Sequence, residues 1–598
     1  MESFHKKKQV KHNSTNLHTF TIPLALREVK ENISINTEFP SQDSQKEIIN
    51  KAFKFHSQGN ILEAAKYYQC FLDKGFEDHR VFSNYGIILK SLGELSEAKI
   101  LFHRAINIKP DFAEGHNNLG TLFESIGNFR QAEKSIREAI RLKPNFAEFY
   151  FQLANVLKKS EKYNEAEISI RKAIKLKSDY AEAYSNLGNI LKNLDKFNEA
   201  ERYFRKAIKL KPDFAEAYNN LGSLFRTLGE LEKAEEVTRK AVDIKPDFSM
   251  ALSNLGNTLQ ALGKLNEAEI FTREAIKFDP NYALAHINLA SIQLLTGNYE
   301  SGLKHYEFRD KLNNSLLLYA IPKVKKVDNE NLQKGSKILV ISEQGLGDTI
   351  QYMRYIPYLR NKGIDISFCA QEKLHRLIKS SGIDPNPLTA KQATKVSEGK
   401  WISLLSLPRH LNVNPKNPII SEPYIFSKDE LNLKWKNILS QEKRPIVGIN
   451  WQGNPEMEKT YQGRSFPLEN FSGILDQNKI TLLSLQKGFG TEQLDNCSFK
   501  NKFVECQPQI DSTWDFLDNA AIIHNCDLII TCDTSIAHLA GGMGKKVWLL
   551  LKDIPFWTWG LDGDSTFWYP SMRLFRQKER NNWSEVMVRV SKQLKEDV

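Results

Sequence analysis

The 598-residue sequence predicts an α + α/β protein, with a helical solenoid over residues 44–310 followed by paired α/β domains over 337–440 and 441–598. Three observations lead there. A 34-residue period recurs six times without a break over residues 79–282. Beyond residue 336 that period gives way to short apolar runs ending in glycine-rich or hydroxyl-rich turns, the pattern of buried parallel strands followed by helices. The length also exceeds what one hydrophobic core supports.

Residues 1–43 come first. Their opening 30 positions set Lys6, Lys7, Lys8, Lys11, Arg27 and Lys30 against Glu2 and Glu28, with few large apolar side chains. They read as a disordered basic tail, at most a weak anion-seeking arm. The segment has no apolar h-region, and no stretch of the chain reaches the roughly 20 apolar residues that span a bilayer. A cytoplasmic protein without a transmembrane segment is expected. The six cysteines (Cys70, Cys369, Cys497, Cys506, Cys526, Cys532) contain no CxxC pair, which fits neither a disulfide framework nor a zinc site and suits a reducing compartment. Net charge is +11, but 83 basic residues stand against 72 acidic ones and most recur once per repeat. They read as solvated helix faces, so no nucleic-acid partner is expected.

The repeats begin at His79, Ala113, Ala147, Ala181, Ala215 and Ser249. Position 8 is small (Gly86, Gly120, Ala154, Gly188, Gly222, Gly256), as is position 20 (Ala98, Ala132, Ala166, Ala200, Ala234, Ala268), so two helices can cross closely. Position 27 is always alanine, from Ala105 to Ala275, and position 32 is proline except at Ser178, which ends the second helix. This is the signature of tetratricopeptide (TPR) repeats, and degenerate end repeats extend the array to residues 44–310. Position 6 carries Asn84, Asn118, Gln152, Asn186, Asn220 and Asn254, continued by Asn288. Such amides can grip an extended peptide backbone inside a groove. They can equally link neighbouring repeats, and the sequence leaves both readings open.

Residues 311–336 read as a polar linker. After it, "KILVIS" predicts a strand running into Glu343-Gln344-Gly345-Leu346-Gly347-Asp348 and a helix, a loop whose amides can approach a phosphate or sugar. The dinucleotide fingerprint is incomplete, because Ile350 stands at the third glycine position. "PIVGINW", "ITLLSLQ", "DLIIT" and "KVWLLL" predict further strands, and Asp533, Thr534 and Ser535 follow the third of these at a helix N-terminus. That is the ligand crevice of open α/β sheets. His538 lies one turn further, able to add a hydrogen bond or a positive charge. Read in isolation, Asp533 and Thr534 are an N-cap and His538 an ordinary half-buried histidine. Asp562 and Asp564 mimic a metal-binding DxD but lack the strand context, so no metal site is expected.

"EQGLGDTIQYMRY", "VGINWQGNP", "GRSFPL", "LSLQKG", "DTSIAHLAGGMGKKVWLLL", "FWYPSMRLFRQ" and "NNWSEV" occur in an order that resembles the heptosyltransferase-like group, glycosyltransferase family 9. The array in front, and the junction Tyr306-Glu307-Phe308-Arg309, resemble the bacterial subset of that group that carries TPR repeats, an architecture similar to O-GlcNAc transferases. The resemblance implies a GT-B pair of Rossmann-like halves, with the acceptor side in 337–440, the nucleotide-sugar donor side in 441–598, and no cofactor or essential metal. It implies Asp348 as the catalytic base and Gly345, Gly347, Asp533, Thr534, Ser535, His538, Lys487 and Arg464 as donor-binding residues. It implies a nucleotide-sugar donor and a protein or peptide acceptor in the groove; the sugar, the acceptor and the oligomeric state are left open. Trp557-Thr558-Trp559, where the resembled group often has Trp-Arg-Trp, and Gln452 depart from the group's pattern. Two other readings remain: a TPR scaffold with a catalytically degenerate transferase-like domain, and a transferase of surface polysaccharide or lipid-linked glycan assembly.

Overall fold

The computed structural model describes residues 44–312, 318–328, 332–343, 345–458, 463–475 and 480–597. The predicted tail, residues 1–43, lies outside them. The chain divides into two compact units, Met1–Leu224 and Phe225–Val598, so the division falls inside the repeats rather than at residues 311–336.

Among the described residues the array holds sixteen helices, from Gln45–Ser57 to Tyr299–Tyr306. Each 34-residue window folds as two, for example Ala181–Asn193 and Phe197–Leu210. The small columns work as expected. A Cβ on Gly188 would lie 2.6 Å from the Phe204 ring, and one on Gly120 would lie 2.5 Å from Ile136, while Ala200 and Ala132 are fully buried. The two helices of a window therefore close to side-chain contact. The turn between them needs a left-handed residue at position 15. Gly93 (φ 86°) and Gly127 (φ 77°) fill it naturally, and Glu161 (φ 60°) and Asp195 (φ 57°) are held there without that freedom. The recurrent charges pair on the surface: Arg171 meets Glu167 at 2.7 Å and Glu199 of the next repeat at 3.2 Å.

In the second unit two sheets follow the repeats, both with every pairing parallel. The first runs β1 (Lys325–Lys326), β2 (Lys337–Ile341), β3 (Asp365–Cys369) and β4 (Lys400–Ser403) in spatial order β1-β4-β2-β3. The segment read as a linker thus supplies an edge strand. The second contains β5 (Ile446–Asn450), β6 (Thr481–Ser484), β7 (Leu528–Cys532), β8 (Val547–Leu551) and β9 (Met572–Arg576) in order β6-β5-β7-β8-β9. The order in which the chain adds strands switches sides once in each sheet, between β2 and β4 and between β5 and β7, and the carboxyl ends of such strand pairs are where open α/β sheets form a crevice. One apolar cluster joins Val340 and Ile350 near the first sheet to Leu539 and Leu549 of the second, and takes in Leu294, Tyr299 and Leu303 from the last repeat. The far face of the second sheet is covered by the Trp583–Asp597 helix, with Trp548, Val586 and Val590 packed between.

Candidate functional site

At the β5/β7 crevice the chain leaves β7 through Asp533 and enters the Ser535–Gly542 helix, whose N-cap is Thr534 in extended geometry. The Thr534 hydroxyl does not bond the helix amides. It donates to Asn450 Oδ1 at the end of β5 (2.9 Å), and Asn450 Nδ2 donates to Gln486 Oε1 (2.8 Å). The first-turn amides are left without a side-chain cap, facing the crevice where a helix N-terminus favours anions. The isolated N-cap reading thus holds for the position of Thr534 but not for its hydrogen bond.

His538 is buried, sharing a 2.9 Å hydrogen bond between Nδ1 and the Tyr569 hydroxyl and stacking on Trp559 with ring centroids 5.2 Å apart. Burial, reinforced by the nearby Arg354 guanidinium, pushes its pKa down to about 3. The imidazole is therefore neutral at physiological pH, so of the two expected contributions, a hydrogen bond or a positive charge, it keeps the first. Arg354 is itself buried and donates to the carbonyls of Trp568 (2.7 Å) and Ile420 (3.1 Å) and to the Tyr424 hydroxyl (3.1 Å).

The glycine loop meets this helix directly. Gly345 caps the Leu346–Tyr352 helix, and a Cβ there would sit 2.2 Å from Asp348 Oδ2, so the carboxylate folds back over the space that the absent side chain leaves. A Cβ on Gly347 would sit 3.1 Å from the His538 ring and 3.6 Å from Ser535 Cα. Both glycines serve close packing here, and Gly347 brings its loop against the Ser535–Gly542 helix. Burial, then the charges of Glu343 and Asp533, raise the Asp348 pKa to about 6, with Arg309 and Arg464 acting against them. Asp533 is likewise raised by burial and opposed by Arg464.

Arg464 belongs to this cluster: its guanidinium lies over Gly453, 2.9 Å from where a Cβ would stand, and its Nε is 3.6 Å from Glu458. Among the described residues no bond joins Lys487 to it. Its ammonium donates to the Ile510 carbonyl, and burial lowers its pKa to about 8. Thr558, where the group's pattern has arginine, is buried in the short Trp557–Trp559 helix. Asp564 sits 3.5 Å from Arg573 in an exposed loop, and among the described residues no group of three or more His, Cys, Asp or Glu side chains is placed to hold a metal.

Four of the position-6 amides, Asn118, Asn186, Asn220 and Asn288, bond the preceding repeat. Asn118 donates to Ser83 (2.9 Å), Asn220 to Ser185 (3.2 Å) and Asn288 to Ser253 (3.0 Å), each hydroxyl at position 5 of the preceding repeat. Asn186 donates to Asn155 (2.6 Å) and accepts from Lys158 (2.7 Å), and Gln152 donates to Glu148 (2.9 Å). Asn84, Asn186 and Asn288 are buried. Those three cannot present an amide to a peptide, which corrects the ladder at these positions; Asn118, Gln152, Asn220 and Asn254 stay partly exposed. The signal for inter-repeat bonding was the serine at position 5. Sequence reasoning also left Arg309, Glu343, Asn450, Trp559 and Tyr569 without a role, although all five lie in quoted segments.

A repeat array with a parallel α/β region is the class these features define. Residues 79–112, 113–146, 147–180 and 215–248 match one tetratricopeptide repeat family, residues 181–214 a second and residues 249–278 a third. Residues 79–278 are tetratricopeptide repeats, a protein-interaction scaffold. Protein FlbA of Caulobacter vibrioides is 24% identical over 337 residues, 51% of this chain and 54% of FlbA, so the match spans about half the length of that relative. Among solved structures, YrrB, described as a TPR protein with an unusual peptide-binding site, is 26% identical, covering 32% of this chain and 97% of its own, with a TM-score of 0.26. A tetratricopeptide repeat protein from Parabacteroides merdae is 18% identical, covering 41% of this chain and 97% of its own, with a TM-score of 0.37. Among the described residues no helix is long and apolar enough to cross a membrane.

Proposed function

We propose that the protein transfers a sugar from a nucleotide-sugar to a hydroxyl group of a protein or peptide held by the repeats, using a GT-B-type pair of α/β domains without an essential metal. The observation that carries this is the position of Asp348: a carboxyl raised to about 6, on a glycine loop packed against the helix that follows β7. The uncapped first turn of that helix would take the diphosphate, and Arg464 would balance its charge. Asp348 would accept the proton of the attacking hydroxyl as its oxygen bonds the anomeric carbon and the nucleoside diphosphate leaves. The motif series resembling glycosyltransferase family 9 supports the same reading.

A second reading is a TPR scaffold whose α/β domain binds ligand without turnover. It is favoured by the commitment of Thr534 to Asn450, by Thr558 in place of arginine, and by family matches that fall on the repeats. Incubating the full chain with a panel of nucleotide-sugars and cell extract, then searching proteins for added sugar by mass spectrometry, separates the two. Transfer is expected from at least one donor, at least about a hundredfold slower with Asp348→Asn. Equal transfer by that variant removes Asp348 from the chemistry, and no transfer from any donor leaves the scaffold.

A further inference from the structure

Arg309 ends the junction phrase that closes the repeat array, and it is 4% exposed. All five of its N–H groups find acceptors. Nε donates to Glu343 Oε1 (2.9 Å), Nη1 to the Tyr306 carbonyl (3.1 Å) and Glu307 Oε1 (3.0 Å), and Nη2 to Ser403 Oγ (3.2 Å) and Ser406 Oγ (2.8 Å). Glu343 follows β2, while Ser403 ends β4 and Ser406 follows it, so the guanidinium fills the crevice of the first sheet. The relay continues toward the glycine loop: Gln371 Nε2 donates to the Glu343 carbonyl, and the single hydroxyl proton of Thr349 is shared between two acceptors each 3.0 Å away, Gln371 Oε1 and the Gly345 carbonyl.

We propose that Arg309 is a positioning residue for Asp348, holding Glu343 and, through it, the glycine loop that carries the reactive carboxylate. Its mechanistic use rests on the reading of Asp348 as the proton acceptor; the positioning itself does not. Phe308, next to Arg309, stacks on His286 of the last repeat with centroids 3.5 Å apart, so the end of the array is joined through Phe308 and Arg309 to the Glu343 end of that relay. The charges that act on Asp348 are those of Glu343, Asp533, Arg309 and Arg464, while Gly347, the residue before it, packs on His538, and Tyr352 lies on its own helix. The guanidinium is shared by Glu307 and Glu343, Glu307 also has Lys326 at 4.0 Å and Arg409 at 3.9 Å, and the two members of the Glu343–Arg309 pair push the Asp348 proton affinity in opposite directions.

The test is an infrared titration of the Asp348 carboxyl in the full chain, assigned by subtracting Asp348→Asn. The parent should titrate near pH 6. Arg309→Met should raise the midpoint by about one unit or more and Glu343→Gln should lower it by a similar amount, because an opposing and a like charge are removed. Where transfer is measurable, the acidic limb of its pH–rate profile should move with the midpoint, a shift that a merely structural role would not produce. Should Arg309→Met fail to fold, Glu343→Gln still decides by its opposite sign. An unmoved midpoint in folded Glu343→Gln overturns the proposal whether or not sugar is transferred. Midpoints that move as stated in a protein that transfers nothing leave the positioning intact and remove the transferase reading.

Discussion

Asp348 and His538 titrate abnormally in opposite senses. The folded-state pKa of Asp348 lies near 6 against 3.8 for the free side chain, so its charged form opposes folding. That penalty is absent below the unfolded value and grows as pH rises through 6. Asp348→Asn should therefore stabilise the protein by about 1–2 kcal/mol at pH 7–8, allowing for partial exposure, and by almost nothing at pH 4. Urea unfolding of both forms at the two pH values checks this. A variant no more stable than the parent at pH 8 would show that the carboxylate is not held against its own charge. For His538 the folded pKa is lowered to about 3, so its contribution is full above 6.5 and is lost as pH falls toward 3. At Thr534 the relevant loss is the bond to Asn450, and Thr534→Ala should cost about 1 kcal/mol of stability if that donor is removed from the crevice.

Among the elements, helices of the array were legible because their pattern repeats locally every 34 residues, and the strands around Asp348 and Asp533 because short apolar runs end in distinctive turns. The left-handed column at position 15 was not legible, since glycine is replaced by Glu161 and Asp195 in two of the repeats. Replacing either by glycine should stabilise the protein by about 0.5–1 kcal/mol, the relief of a left-handed side chain less the entropy returned to the unfolded chain. A urea midpoint that falls instead would mean that contacts of the side chain outweigh backbone strain. The packing of Gly347 on His538 joins residues 191 positions apart, and the Arg309 cluster spans three elements; no local spacing encodes such contacts. The position-6 amides show the same limit, because a groove-facing and a repeat-linking asparagine look alike until the serine one position earlier in the preceding repeat is seen to meet them.

At the level of the whole molecule, the last repeats belong to the same compact unit as the α/β region. Leu294, Tyr299 and Leu303 share a core with Val340 and Trp557, and Arg580 donates to the Ala261 carbonyl. A fragment of residues 337–598 should accordingly unfold at lower urea than one of residues 225–598, having lost that apolar cover and the Arg309 bonds. The central claim is that this unit takes a nucleotide-sugar at the β5/β7 crevice, and the most direct measurement is thermal unfolding of the full chain across a panel of nucleotide-sugars and bare nucleotides. One donor should raise the unfolding temperature with increasing concentration, stabilising by about 2.7 kcal/mol at a hundred times its dissociation constant, and Thr534→Ala should require more of it for the same rise. A panel in which no nucleotide-sugar changes the unfolding temperature at millimolar concentration would contradict the account.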